Sequence, residues 1–343
     1  MVLESGAVDT AARRRPTIRD VAAAAGVSRG TVSRVLNGAH WVSPDALVAV
    51  NDAIRATGYI ANEHARSLAT GRSNSIAFLL TEPQHLLFED PNFSILLRGA
   101  AQALAHREIP LLLMVASTPD ERRRITAYVS AGHVDGVLLI SSHARSPMVA
   151  ALLSSGVPTV ACGAPLGFES QVGYVAADDA GGAGQMVRHL AATGRRRIAT
   201  ITGPPDTPGG RDRLAGYRAA LGAQFDPTLV APGDYTRAGG QRAMADLLAR
   251  RPDLDAVFAA SDLMASGALV ALRDAGRSVP GDVAVGGFDD SGLAAALDPA
   301  LTTVRQPFER ISTEMVRLLL EVIDGEQPAA ITLPTTLVRR AST

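Results

Sequence analysis

Residues 17–37 read TIRDVAAAAGVSRGTVSRVLN, two short helical patterns separated by one turn. Thr17 stands at a capping position, and Asp20 follows three residues on, close to a capping-box pattern. Ile18, Val21, Ala22 and Ala25 recur at helical spacing and make one apolar face. Gly26 ends that helix, as a residue tolerant of left-handed backbone does. Val27 is a small apolar pin, and Ser28 caps a second helix with Val32, Val35 and Leu36 turned inward. The outward side carries Ser28, Arg29, Thr31, Ser33, Arg34 and Asn37, a polar and cationic face with no acid on it.

This pattern predicts a helix-turn-helix whose second helix enters the DNA major groove. Arg forks two donors onto guanine, Asn pairs with adenine, and Ser and Thr hydroxyls reach phosphates. The plainer alternative is an amphipathic helical hairpin with a solvated polar face. The residues that follow favour the first reading. Ser43-Pro44-Asp45 opens a third helix, with Leu47, Val50 and Ile54 as its expected apolar stripe and Gly58 at its end.

Then come Tyr59-Ile60-Ala61-Asn62 and Ala65-Arg66-Ser67-Leu68-Ala69. The order DVAAAAGVS, TVSRVLN, VS, GYIAN, ARSLA resembles the lac repressor/gal repressor family of bacterial transcription regulators. The resemblance implies a hinge helix that folds on operator DNA, where Leu68 would wedge into a base step of the minor groove. It places Thr17, Asn62, Arg66, Leu68 and Ala69 at the DNA beside the second helix. Gly30 departs from the family pattern, since a base-reading side chain usually stands there. Base choice at that point then rests on Arg29 and Arg34, or on DNA shape. Trp41 either packs on a phosphate sugar or lies under its own loop.

Composition agrees with a DNA-binding head on an acidic core. The 343 residues suggest two or three domains, and 47% hydrophobic against 4% aromatic residues predicts an aliphatic interior. Residues 1–72 hold nine Arg and six acidic residues, net +3, against net −4 for the rest. Arg13, Arg14 and Arg15 lie in an expected disordered arm, residues 1–15, and either touch phosphates or are simply solvated. The chain contains no Lys, and its one cysteine, Cys162, excludes an intrachain disulfide and suits a reducing cytoplasm. No apolar run is long enough to span a membrane, and no signal peptide is expected.

From Ser75 onward, apolar strand-like runs alternate with helices, as parallel sheets covered on both faces require. The expected fold is an N-terminal all-α helix-turn-helix domain (16–61) with a hinge helix and linker (62–74). An α/β core (75–343) of two doubly wound parallel-sheet lobes follows, similar to periplasmic binding proteins. Lobe 1 is expected over about 75–174 and 305–334, and lobe 2 over about 175–304 and 335–343. Ligands in such sheets bind outside the carboxyl ends of strands.

The resemblance and that geometry together select Asn92, Phe93, Ser141, Ser142, Arg213, Tyr235, Ser261 and Asp289 as effector contacts. Asp289 is expected just after a strand at Val283–Gly286, Asp290 as a cap for the next helix, and Asp262 as the cap after Ser261. Arg211 is a surface alternative to Arg213. A carboxylate, an arginine and ring walls fit a sugar or polyol, and also a nucleoside or purine.

Enzyme readings fail. Gly181-Gly182-Ala183-Gly184 lacks the dinucleotide spacing, no phosphate-loop lysine exists, G-x-S-x-G is absent, and His and Cys show no metal-ligand spacing. No cofactor is expected. The expected function is a cytoplasmic repressor whose grip on operator double-stranded DNA is controlled by a small, sugar-like effector. The second hypothesis is a solute-binding protein, which the helix-turn-helix disfavours. A homodimer is expected, because two half-sites need two heads. A tetramer is not, because Pro328 and Pro334 break the C-terminal region and no heptad of leucines follows.

Overall fold

The computed structural model describes residues 16–36, 41–59 and 72–343. It forms two compact units, Met1–Ser73 and Asn74–Thr343. The first unit holds α1 (Ile18–Ala25), α2 (Arg29–Leu36) and α3 (Pro44–Thr57). The Thr17 N–H and hydroxyl both donate to the Asp20 carboxylate, at 2.7 and 2.8 Å. Gly26 leaves α1 at φ +66°, where a Cβ would be strained. Ser28 caps α2 by accepting the Thr31 N–H at 3.1 Å, and Ser43 caps α3 through the Ala46 N–H at 3.3 Å.

Val21, Ala22, Val32, Val50 and Ala53 make the buried centre of this unit. Leu47 does not join it and is 44% exposed. The inward face of α3 is centred on Val50, Ala53 and Ile54, so Leu47, in the first turn, falls outside that contact.

The second unit contains two six-stranded sheets. The first orders β11 (Ala330–Leu333), β5 (Gly173–Ala177), β4 (Thr159–Cys162), β3 (Gly136–Ile140), β1 (Ile76–Leu80) and β2 (Leu111–Val115), all parallel. Helices α4 (Leu86–Glu89), α5 (Pro91–Ala105), α6 (Pro119–Ser130), α7 (Pro147–Ser155) and α13 (Phe308–Ile323) cover it. The strands read as continuous apolar runs because both faces are covered: Ile76, Phe78 and Leu80 enter one cluster, Ala77 and Leu79 the other.

The second sheet orders β12 (Thr336–Val338), β10 (Thr302–Arg305), β9 (Ala284–Asp289), β8 (Ala256–Ala259), β6 (Ile198–Thr202) and β7 (Val230–Pro232). Only β12 runs antiparallel, against β10. Its helices are α8 (Asp179–Ala192), α9 (Pro208–Leu221), α10 (Arg237–Arg250), α11 (Asp262–Asp274) and α12 (Leu293–Ala296).

The chain passes between lobes after β5, after β10 and after β11. The expected boundary at 174/175 therefore falls inside β5, which pairs with β4 and β11 of the first sheet, and the crossing comes after Ala177. β10 escapes a hydrophobicity reading because it begins with two threonines. Both are fully buried, with hydroxyls bonded to the Arg340 carbonyl at 3.1 Å and the Asp262 carboxylate at 2.5 Å. No helix among the described residues is long and apolar enough to cross a membrane.

Candidate functional site

In each sheet the strand order reverses beside the first strand, between β1 and β3 and between β6 and β8. Loops leaving the carboxyl ends there diverge and open a crevice. A cavity of about 160 Å³ lies at this place, between the lobes. The first lobe lines it with Asn92, Phe93, Ser141 and Ser142, and the second with Arg213, Tyr235, Ser261 and Asp289. All eight residues selected from the sequence thus meet at one cavity.

Asp289 is the last residue of β9 rather than a residue beyond the strand. Pairing with β10 continues to Asp289, opposite Arg305, and β9 is buried along its whole length. Arg213, on α9, is buried and donates from Nε to Asp179 at 2.7 Å, and from Nη1 to the Ala260 carbonyl at 2.5 Å and Asp289 at 3.5 Å. Its guanidinium carbon lies 3.8 Å from the Phe288 ring centroid. Burial alone would lower its pKa, but the carboxylates reverse that and hold it above the ordinary value. Burial pushes Asp179 and Asp289 up, and Arg213 opposes the shift in both. Gln306, at the second crossing, donates to Asp289 at 2.7 Å.

Ser141, Tyr235 and Asp289 have φ of +56°, +62° and +122°. Such backbone costs on the order of 1–3 kcal/mol per residue and concentrates at ligand sites. Tyr235 also needs Gly203 beneath it, since a Cβ there would lie 2.2 Å from the ring. Burial raises its phenol to about 12, so the ring presents a neutral hydroxyl. Ser142 Oγ and Asn92 Oδ1 are buried without a hydrogen-bond partner among the described residues. Such groups are costly unless something satisfies them.

Two expected helix caps are not made by the residues expected, Asp262 and Asp290. Ser261 caps α11 by accepting the Met264 N–H at 3.1 Å. Asp262 instead binds the Thr303 hydroxyl and the Asp290 N–H, at 2.5 and 2.7 Å. Asp290 caps no helix: its carboxylate holds Arg305 at 2.7 Å and Arg340 at 2.6 Å. Arg211 is exposed and pairs with Asp212 at 2.8 Å, away from the cavity lining.

Asp90, Asp179, Thr207 and Gln306 also line the cavity and were not selected from the sequence. Asp90 carried a usable signal, an acid directly before Pro91 at a helix start, and it does cap α5 through the Asn92 N–H at 2.9 Å. Beside the cavity, His143 joins the lobes. Its Nδ1 lies 2.7 Å from Asp206 and its Nε2 3.1 Å from Glu82, while the Ala144 N–H donates to the Asp206 carbonyl at 2.7 Å. The bond to Glu82 raises His143 to about 9, with burial opposing and Asp206 adding to the rise.

On the helical unit, Val32 is buried while Ser28, Arg29, Gly30 and Arg34 are exposed and Thr31 and Ser33 half-buried. A Cβ on Gly30 would lie 3.6 Å from Ser28 Oγ, an ordinary contact, so packing does not demand glycine there. Trp41 is 90% exposed. Asn37, Asn62, Arg66, Leu68 and Ala69, like Arg13 to Arg15, lie outside the described residues.

A three-helix reader attached to a two-lobed α/β core with a cleft cavity defines a ligand-responsive DNA-binding regulator. Residues 17–62 match the family model for bacterial regulatory proteins of the lacI family, and residues 187–343 that for a periplasmic binding protein-like domain. The chain is 47% identical to the HTH-type transcriptional regulator CelR of Thermobifida fusca, over 96% of this chain and 99% of that one. A solved CelR–cellobiose complex superposes with a TM-score of 0.77 at 45% identity, over 96% of this chain and 100% of that one. The lac repressor dimer bound to operator and the anti-inducer ONPF gives 0.85 at 26% identity, over 96% and 99%. The chain belongs to the lacI family of bacterial regulatory proteins and is a DNA-binding transcriptional regulator.

Proposed function

We propose that this protein is a cytoplasmic, dimeric repressor, and that a neutral sugar, with cellobiose as the first candidate, controls its grip on operator DNA. The effector sits in the cleft cavity between the lobes. The observation that carries the reading is the convergence of all eight selected residues on that cavity, where Ser142 Oγ and Asn92 Oδ1 await a partner. Sugar hydroxyls donate to Asp289 and accept from Arg213, and Phe93 and Tyr235 supply apolar walls. The CelR relative, solved with cellobiose, supports the choice of candidate.

Arg29 and Arg34 read bases, Ser28, Thr31 and Ser33 hold the backbone, and Thr17 fixes the start of α1 against a phosphate. Asn37, Asn62, Arg66, Leu68 and Ala69 complete the interface, with Leu68 as the minor-groove wedge. Two chains supply the two heads. The deciding experiment combines mass spectrometry of co-purified small molecules with operator binding measured by fluorescence anisotropy, with and without cellobiose. A purine or nucleoside recovered in place of a sugar would overturn the sugar assignment.

A further inference from the structure

Three carboxylates line the cavity, those of Asp90, Asp179 and Asp289, against a single cation, Arg213. Arg213 is already matched: it holds Asp179 at 2.7 Å, approaches Asp289 at 3.5 Å and donates to the Ala260 carbonyl. Among the described residues Asp90 forms no ion pair of its own. Its Oδ1 accepts the Asn92 N–H at 2.9 Å, and burial together with nearby Asp289 raises its carboxyl to about 7.

Helix N-termini that face this cleft would ordinarily suit a phosphate. Here the chain's own acids occupy two of them, while α9 opens at Thr207 with no acid in its first turn. Asp90 caps α5, and Asp179 is the first residue of α8 behind the cap Asp178. A second observation points to a ligand of hydroxyl character. Ser142, 2% exposed, lines the cavity with its Oγ unpartnered among the described residues, as is Oδ1 of Asn92 in the same lining. Hydroxyl groups both donate and accept, so they suit carboxylates, an amide oxygen and a serine together. An added anion could accept the Ser142 hydroxyl hydrogen but would meet three carboxylates around it.

We infer that the cavity admits neutral polyhydroxylated ligands and rejects their anionic counterparts, with Asp90 as the residue that sets the discrimination. The inference rests on the cavity being the effector site. Like charges a few ångströms apart in a partly dry site repel strongly enough to exclude a ligand outright.

The test titrates the full-length protein by calorimetry at mildly alkaline pH, above the Asp90 value of about 7, with two matched pairs, cellobiose against cellobionate and adenosine against adenosine 5′-monophosphate. The neutral member of the pair that binds should bind roughly tenfold tighter or more. Asp90→Asn keeps a capping side chain on α5 and should shrink that ratio to about threefold or less. An anionic member binding as tightly as its neutral partner would overturn the inference, as would an unchanged ratio in Asp90→Asn. Binding of adenosine, with neither disaccharide bound and the monophosphate refused, would remove the sugar assignment and leave the charge inference standing.

Discussion

Replacing Arg213 by Met keeps most of the side-chain volume and removes the one cation in the cavity. Asp179 and Asp289, whose side chains are 13% and 4% exposed, then remain buried without their partner. Removing one partner of a buried pair costs about 3–5 kcal/mol, because the remaining charge stays desolvated. The Ala260 carbonyl also loses its donor, and the stacking on Phe288 is lost.

With a urea slope of about 3 kcal/mol/M for a unit of this size, the core's unfolding midpoint should fall by roughly 1–1.7 M near neutral pH. The deficit should depend on pH. Both carboxyls already sit above their ordinary value of 3.8 in the folded state, and losing Arg213 raises them further. The folded variant then binds protons that the unfolded chain does not, so its stability rises as pH falls. The deficit should be largest at mildly alkaline pH and shrink on acidification. Asp179→Asn in the same chain should recover part of the loss. Circular dichroism of the full-length protein follows the transition. A midpoint within about 0.3 M of the parent at neutral pH would refute the reasoning, since a buried pair cannot be broken that cheaply.

Arg34→Ala should weaken operator binding by about 1–3 kcal/mol with the core's thermal transition unchanged; an unaltered anisotropy titration would remove Arg34 from the readers. Asp289→Asn should leave effector-free operator affinity near normal and blunt the response to cellobiose, and a parental dose response would place the effector elsewhere. The His143 clasp should show in the pH profile of melting. Its folded value of about 9 exceeds the ordinary 6.5, so its contribution is full below the lower value and lost as pH rises through the upper one. His143→Gln should flatten the decline in that alkaline window; parallel profiles for parent and variant would show that the clasp does not stabilise the core. Gly30→Ala should stabilise α2 by about 0.5–1 kcal/mol, read as a higher melting point of the helical unit, because a Cβ meets only ordinary contacts there.

The sequence by itself determined whatever depends on local chemistry. The caps at Thr17, Ser28 and Ser43 and the stops at Gly26 and Gly58 fix three helices within a few residues of their own positions. Strand β1 and helix α13 are legible because each carries its own apolar pattern, continuous in one and helical in the other. Arg213 and Asp289 were legible through the family motif they sit in.

Tertiary structure alone decided what depends on partners distant in the chain. β10 and β12 are strands because they pair with each other and β10 also with β9, while the buried Thr302 and Thr303 hydroxyls find acceptors at residues 340 and 262, which no local window contains. The passing of the cap from Asp262 to Ser261 follows from the same cause: Thr303 and Asp290 claim the carboxylate and leave the hydroxyl to cap the helix. The charge of the cavity belongs to this class as well. Asp90 lies 89 residues from Asp179 and 199 from Asp289. Only the closing of two sheets around one cleft sets these acids against a single guanidinium, and burial then makes the imbalance count.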